Sequence, residues 1–232
     1  MKKTARFALL ALLCTAAFTF TSCLNSDDDQ DEVITAAMNE AEIQQYLTPI
    51  QGYHIGNLKA YFQNAKGEQD SVVVSAPCTV STNKTITFAD FPVSILKNYF
   101  PEVENENDNW PFASIIARKD LREALEAMDD MPLIAKMTAF WSFKNNTTGQ
   151  SSQLFYVIPE NKRLEFSFNV GDKKHEAAIN FTEALSINYT SFYSQGFYNP
   201  NTYKLRMQFI INDFSVDGYA MMQYASLSYS DN

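Results

Sequence analysis

Hydrophobic and polar residues alternate along most of the chain after residue 53, which is the spacing of side chains on a β-strand with one buried face. The alternation is clearest in three segments: Leu133-Ala135-Met137-Ala139-Trp141-Phe143, Leu164-Phe166-Phe168 and Tyr203-Leu205-Met207-Phe209-Ile211. A sheet with one solvent-exposed face and one buried face is typically antiparallel. Polar turns at 65–68, 83–84 and 171–173 connect neighbouring strands, and the pattern predicts about nine strands in all.

Three segments have helical signals instead. Asn39 and Glu42 have the spacing of a capping box, which predicts a helix over 38–47, and Pro92 favours a short helix over Val93–Tyr99. A longer amphipathic helix is predicted over 114–128. The predicted fold class is therefore mostly β with one or two short helices (α+β), arranged as an antiparallel β-sandwich or open barrel.

The N-terminus has the pattern of a secretory signal. Lys2, Lys3 and Arg6 precede an uncharged, mostly apolar run over 7–20, which is too short to cross a bilayer as a helix. The run ends in Phe20-Thr21-Ser22-Cys23, which resembles the lipobox of bacterial lipoproteins, although Phe20 stands where leucine is usual. This resemblance implies a signal peptide over 1–22 and a Cys23 that carries lipid, palmitate included, and anchors the protein in the membrane.

An acidic run follows the cysteine. Ser26, Asp27, Asp28 and Asp29 resemble the export tag of surface lipoproteins in Bacteroidetes, which implies an outer membrane lipoprotein exposed on the cell surface. The alternative is a solvated linker extended by like charges. Both interpretations make 23–36 a tether and 37–232 a single β-rich domain. A weak sequence similarity between 86–93 and 209–216 indicates either two related halves, 50–130 and 131–232, or chance similarity.

The net charge limits the classes of binding partner, and the cysteine positions limit the possible disulfides. The chain has 18 Lys and Arg against 27 Asp and Glu, and cleavage before Cys23 would remove three cations and no anion, leaving 15 against 27 and a net charge of −12. This acidity argues against a nucleic-acid partner. Cys14 leaves with the signal, so Cys78 has no partner for a disulfide within the domain and is predicted to be a buried, unreactive residue.

The lipobox, the acidic run and the segments Gly52–Gly56 and Asp90–Val93 are, in this order, similar to the uncharacterised Bacteroidetes lipoproteins grouped as domain of unknown function 4840. The resemblance implies no catalytic residue. The chain also lacks the common nucleophile, phosphate-binding, dinucleotide-binding and zinc motifs, so we predict neither an enzyme nor a cofactor. His54 and His175 have no second ligand at metal-binding spacing, so they are interpreted as ordinary surface and strand histidines. The segment Glu102–Asp108 is interpreted as a solvated loop, with a calcium site as the alternative.

The best candidates for binding are the aromatic residues Phe192, Tyr193, Phe197 and Tyr198, beside Gly196 and an Asn-Pro-Asn turn. Exposed rings would grip a glycan or a protein, whereas rings packed on the core would only stabilise a hairpin. The sequence thus predicts a lipid-anchored binding or structural accessory protein of the cell surface. The alternative is a surface glycan hydrolase with carboxylates gathered from separate strands.

Overall fold

The computed structural model describes residues 33–102, 110–145, 151–187, 190–199 and 202–231. The signal peptide, Cys23 and the acidic run 26–29 lie outside the described residues. No helix within the described ranges has the length and apolar character needed to cross a membrane.

The described residues are mostly β, as predicted, with an antiparallel curled sheet and three short helices. The strands of the large sheet are β1 (Val33–Ala37), β2 (Gly52–His54), β3 (Gly56–Gln63), β4 (Gln69–Ser75), β5 (Cys78–Ser81), β6 (Thr85–Phe91), β7 (Met131–Asn145), β8 (Ser151–Pro159), β9 (Arg163–Val170), β10 (Lys173–Thr182), β13 (Gln195–Asn199), β14 (Lys204–Val216) and β15 (Tyr219–Asp231). β11 (Ala184–Ile187) and β12 (Thr190–Tyr193) form a separate pair. The helices are α1 (Glu40–Leu47), a 3₁₀ helix (Val93–Tyr99) and α2 (Arg118–Glu126).

The sheet curls because its two ends belong to one long hairpin, residues 52–81. β2 pairs with β5 and β3 pairs with β4, and the register is continuous across the break at Ile55, since 52 faces 80 and 57 faces 75. From β5, the order of hydrogen-bonded neighbours in the sheet is β6, β7, β8, β13, β14 and β15. The last of these, β15, pairs with β3. These antiparallel pairings return to the long hairpin and give an open barrel.

Side chains that alternate along these strands fill the barrel. Phe88 on β6 contacts Phe209 on β14 and Tyr229 on β15, with ring centroids 5.9 and 5.7 Å apart, although these strands are not neighbours of β6 in the sheet. α1 covers one end through the buried Tyr46 and Leu47. The interior is therefore a packed core and not a cavity.

The helix predictions are partly confirmed. The capping box of α1 is present, because Glu42 N–H donates to Asn39 Oδ1 at 3.0 Å and Asn39 N–H donates to Glu42 Oε2 at 2.7 Å. The helix expected over 114–128 begins only at Arg118, because the segment before it forms turns around Phe112.

The structure differs from the strand predictions in three respects. The described residues contain fifteen strands instead of about nine, because breaks divide three of the predicted strands and because β1, β12 and β13 lie where no strand was predicted. In β7 a bulge between Thr138 and Trp141 gives Ala139 a φ of 48° and reverses the alternation, so Phe140 is buried and Ala139 is exposed. Tyr203, expected in phase with β14, lies exposed in the turn before it. The two-half repeat remains a prediction.

Candidate ligand-binding pocket

A pocket of about 520 Å³ opens outside the barrel, between the tip of the β3–β4 hairpin, the end of the 3₁₀ helix and β15. Six of its fourteen described lining residues are aromatic, three carry side-chain amides and one is basic: Tyr61, Phe62, Gln63, Asn64, Tyr99, Phe100, Pro101, Trp110, Arg118, Met222, Gln223, Tyr224, Ala225 and Ser226. We call it the aromatic pocket. Its volume is within the range of sites that hold small molecules, about 300–1,000 Å³.

Trp110 is held in a fixed orientation at one wall. Its indole N–H donates to the carbonyl of Ile116 at 2.8 Å, and its ring meets Phe100 edge-on with centroids 6.1 Å apart. The Arg118 guanidinium lies 5.0 Å from the centre of the indole ring, a cation–π contact. No described carboxylate forms an ion pair with Arg118. The guanidinium therefore keeps donors for a ligand while it stacks on the ring.

Tyr224 has a strained backbone. Its φ is 59° in the middle of β15, between the paired residues Gln223 and Ala225, and its side chain is 38% exposed at the pocket. The other non-glycine residues with positive φ lie in turns or at the bulge of β7: Lys84, Ala139, Lys162, Tyr203 and Asp217. A bulky residue in the left-handed region costs about 1–2 kcal/mol, and such residues cluster at functional sites.

The polar groups of the pocket are amides and the guanidinium. Asn64 is committed to the hairpin turn, since its Oδ1 accepts the N–H groups of Lys66 and Glu68 at 3.0 Å each. Gln63 and Gln223 supply the remaining side-chain amides. The described lining has no carboxyl group, so the carboxylate pair of a glycoside hydrolase would have to lie elsewhere.

The predicted aromatic site at 192–198 does not form one exposed platform. Tyr198 is only 1% exposed and packs edge-on against Tyr46, with centroids 6.2 Å apart, which agrees with the alternative that this ring packs on the core. It lies inward on β13 because the ring completes the core beneath α1. Phe192 and Phe197 are half-buried, and Tyr193 is exposed and stacks on Tyr156 at 5.6 Å.

Both histidines are paired with a distant aspartate. His54 Nδ1 lies 2.9 Å from Asp231 Oδ2, and His175 Nδ1 lies 2.9 Å from Asp217 Oδ2. His175 lies in β10 as a strand histidine, but it is 2% exposed and stacks on Phe168, so it is buried and not at the surface. These pairs could not be predicted from the sequence, because their members are 177 and 42 residues apart.

The remaining candidates concern metal and thiol chemistry. The described residues contain no cluster of three or more potential metal ligands. Glu102, at the start of the predicted solvated loop, pairs with Arg122 at 3.2 Å, and 103–109 lie outside the described residues. Cys78 is a free, buried cysteine, as predicted.

The aromatic pocket was not predicted from the sequence, because no pattern in the chain assigns a role to Trp110. The pocket residues come from five separate segments, and no segment carries a motif. One available signal was composition, since the chain has only 2 tryptophans and one of them lies between an acidic stretch and a proline.

The described residues form a mostly β, open-barrel domain with the aromatic pocket on its outside. The family model described as "Domain of unknown function (DUF4840)" matches residues 49–216, and the chain therefore belongs to this family. The match begins after α1 and ends with β14, so β15 and its pocket residues lie beyond it. No curated protein and no solved structure shows significant similarity to the chain.

Proposed function

We propose that the protein is a lipid-anchored cell-surface protein that binds a saccharide in the aromatic pocket. The observation that carries this proposal is the combination of a strained, exposed Tyr224, a fixed Trp110 and an Arg118 stacked on it around one pocket. Strain at a solvent-facing tyrosine has no benefit for folding, which supports a role in binding.

The chemistry of the lining favours a saccharide over a protein partner. A sugar ring has an apolar C–H face that packs on an aromatic ring, and hydroxyl groups that need donors and acceptors around its edge. Trp110, Tyr224, Gln223 and Arg118 offer these two kinds of contact at one site. A stable protein interface needs about 800 Å² on each partner, which is far more than this pocket provides.

Binding is tested on a glycan array with the chain that begins after Cys23. We expect wild-type protein to retain a defined set of saccharides, and Trp110→Ala to lose the signal. Tyr203→Ala is the matched control, because Tyr203 is the most exposed of the described aromatic residues and lies outside the pocket. Equal signals from wild type and Trp110→Ala would refute the pocket as the binding site.

The anchor is tested separately. Lipid on Cys23 would hold the domain at the membrane, with the acidic residues 26–29 as a spacer or export signal. We expect Cys23→Ala to move the protein from the membrane fraction to the soluble fraction, and Ser22→Ala, which keeps a small residue before the cysteine, to leave it anchored. Retention of Cys23→Ala in the membrane pellet would refute the lipid anchor.

A further inference from the structure

We propose that two copies of this chain associate by pairing their β4 strands antiparallel, centred on Val73. The inference rests on the main chain of β4 and is independent of the pocket and of the anchor.

Among the strands that the structure describes, β4 pairs only with β3. In an antiparallel ladder, opposed residues alternately exchange hydrogen bonds and direct them away from each other. Asn64 N–H donates to Glu68 O at 2.9 Å, and Ala76 N–H donates to Gly56 O at 2.9 Å, so the even-numbered residues of β4 bond to β3. The N–H and C=O groups of Ser71, Val73 and Ser75 consequently point to the free edge.

This edge has defined limits. At one end Ser71 N–H already donates to Asp70 Oδ1 at 2.7 Å, which is the geometry expected of an outward-facing amide. At the other end Pro77, the next residue of the same parity, has no N–H to donate. Between them no described group bonds to the main chain of Val73 or to Ser75 N–H. An occupant must therefore be an extended polypeptide of about five residues.

The edge also lacks the usual protection. Natural edge strands carry lysine, proline, a bulge or an inward charge, and β9, another edge, carries Arg163 and Glu165. Residues 71–75 of β4 are Ser-Val-Val-Val-Ser, with Val73 55% exposed.

A second copy fits this edge because the antiparallel register separates the charges. With Val73 opposite Val73 of the second copy, each Ser71 faces a Ser75, and Asp70 faces Ala76. The two Asp70 side chains are then six residues apart along the strands, about 20 Å at about 3.3 Å per residue. This exceeds the screening length of about 8 Å at physiological salt, so the acidic chains do not repel each other at the contact.

The contact is small, which sets the expected affinity. One five-residue strand from each copy buries far less than the about 1,600 Å² of a typical stable complex. We therefore expect a dissociation constant of about 10–100 μM for the chain that begins after Cys23. Sedimentation equilibrium would show a mass that rises with concentration and reaches a plateau at twice that of the monomer.

Two edge variants and one control test the assignment. Val73→Lys places a charge on the edge, and Ser75→Pro removes an outward N–H that β3 does not use. We expect each to weaken dimerisation at least about tenfold. Ile134→Lys is the control, because Ile134 is also an exposed aliphatic residue but lies on β7, which is paired on both sides; it should leave the dissociation constant within about twofold. Thermal unfolding of each variant shows whether it is folded.

Hydrogen exchange gives a readout that does not depend on substitution. The amides of Val72 and Val74 should be protected at all concentrations, whereas those of Val73 and Ser75 should gain protection only as the dimer forms. A protein that stays monomeric at about 1 mM would overturn the proposal. A dimer unaffected by both folded edge variants, or continued growth into larger assemblies, would overturn it as well.

Discussion

His54 and Asp231 are 177 residues apart in sequence and join β2 to β15, with Nδ1 and Oδ2 2.9 Å apart. The other ring nitrogen of His54, Nε2, lies 2.6 Å from the carbonyl of Ile50. A carboxylate and a carbonyl can only accept, so both ring nitrogens donate and His54 is an imidazolium. Asp231 also accepts from Leu205 N–H and the Tyr229 hydroxyl, each at 2.9 Å. These hydrogen bonds, which we call the Asp231 network, therefore link β2, β14 and β15.

The Asp231 network predicts that the free energy of unfolding depends on pH. The hydrogen bond to Asp231 raises the pKa of His54 above its ordinary 6.5, although burial opposes this. Burial alone would raise the pKa of Asp231, but its hydrogen bonds, above all that from His54, lower it below 3.8. The His54 contribution is complete below about pH 6.5 and is lost as pH rises through the raised pKa. The Asp231 contribution is complete above about pH 4 and is lost as pH falls through the lowered pKa.

We expect Asp231→Asn to reduce the free energy of unfolding by about 2 kcal/mol between about pH 4 and 6.5, and by less outside this window. Urea unfolding at a series of pH values measures the difference. Asp172→Asn, which makes the same change of charge at an exposed turn residue, is the control. A deficit that does not vary with pH would contradict the imidazolium–carboxylate pair.

Cys78 should be an inert thiol in the folded protein. Burial raises its pKa to about 12, so its thiolate is scarce at neutral pH. In the chain that begins after Cys23, we expect a thiol reagent to label Cys78 about a thousandfold more slowly than an exposed cysteine. Ser75→Cys in a Cys78→Ala background provides that exposed thiol on the same hairpin. Comparable labelling rates would show that Cys78 is accessible and reactive.

The hydroxyl of Tyr46 should stabilise the closed end of the barrel. It accepts the buried N–H of Tyr198 at 3.1 Å, and Phe in its place would leave this donor unsatisfied. We expect Tyr46→Phe to cost about 1–2 kcal/mol of unfolding free energy. Tyr53→Phe, at an exposed position, should change it by less than about 0.5 kcal/mol. Denaturant unfolding of both variants checks the prediction, which fails if the two behave alike.

Tyr224 is expected to lower the free energy of unfolding while it contributes to saccharide binding. Glycine adopts the positive φ without strain, and this gain offsets its own entropy cost of about 0.5–1 kcal/mol. We expect Tyr224→Gly to be as stable as wild type or up to about 1 kcal/mol more stable, while saccharide binding weakens. Tyr219→Gly is the control, because Tyr219 lies exposed on the same strand without a positive φ; it should lose stability and keep binding. Destabilisation by Tyr224→Gly would show that the tyrosine serves the fold.

The parts of the fold that depend on local pattern could be predicted from the sequence. The capping box of α1 involves residues three apart, and the buried positions Leu205, Met207 and Phe209 follow from alternation alone. The bulge at Ala139 could not be predicted, because it adds residues to one strand without a glycine or proline to mark it.

The candidate site was less predictable for a physical reason. Aromatic residues occur in strands, cores and binding sites alike. Only the folded structure shows that Tyr198 lies in the core and Tyr224 at the surface. The strain at Tyr224 and the cation–π contact of Arg118 with Trp110 arise from tertiary packing.

The most direct measurement of the central claim is a saccharide titration followed by the fluorescence of Trp110. Trp141→Phe leaves Trp110 as the only tryptophan, since the chain has 2, and Trp141 lies on β7 outside the pocket. We predict a saturable change in Trp110 fluorescence that fits a single site and is abolished by Tyr224→Ala. Binding detected by calorimetry without any change in Trp110 fluorescence would contradict the assignment of the aromatic pocket.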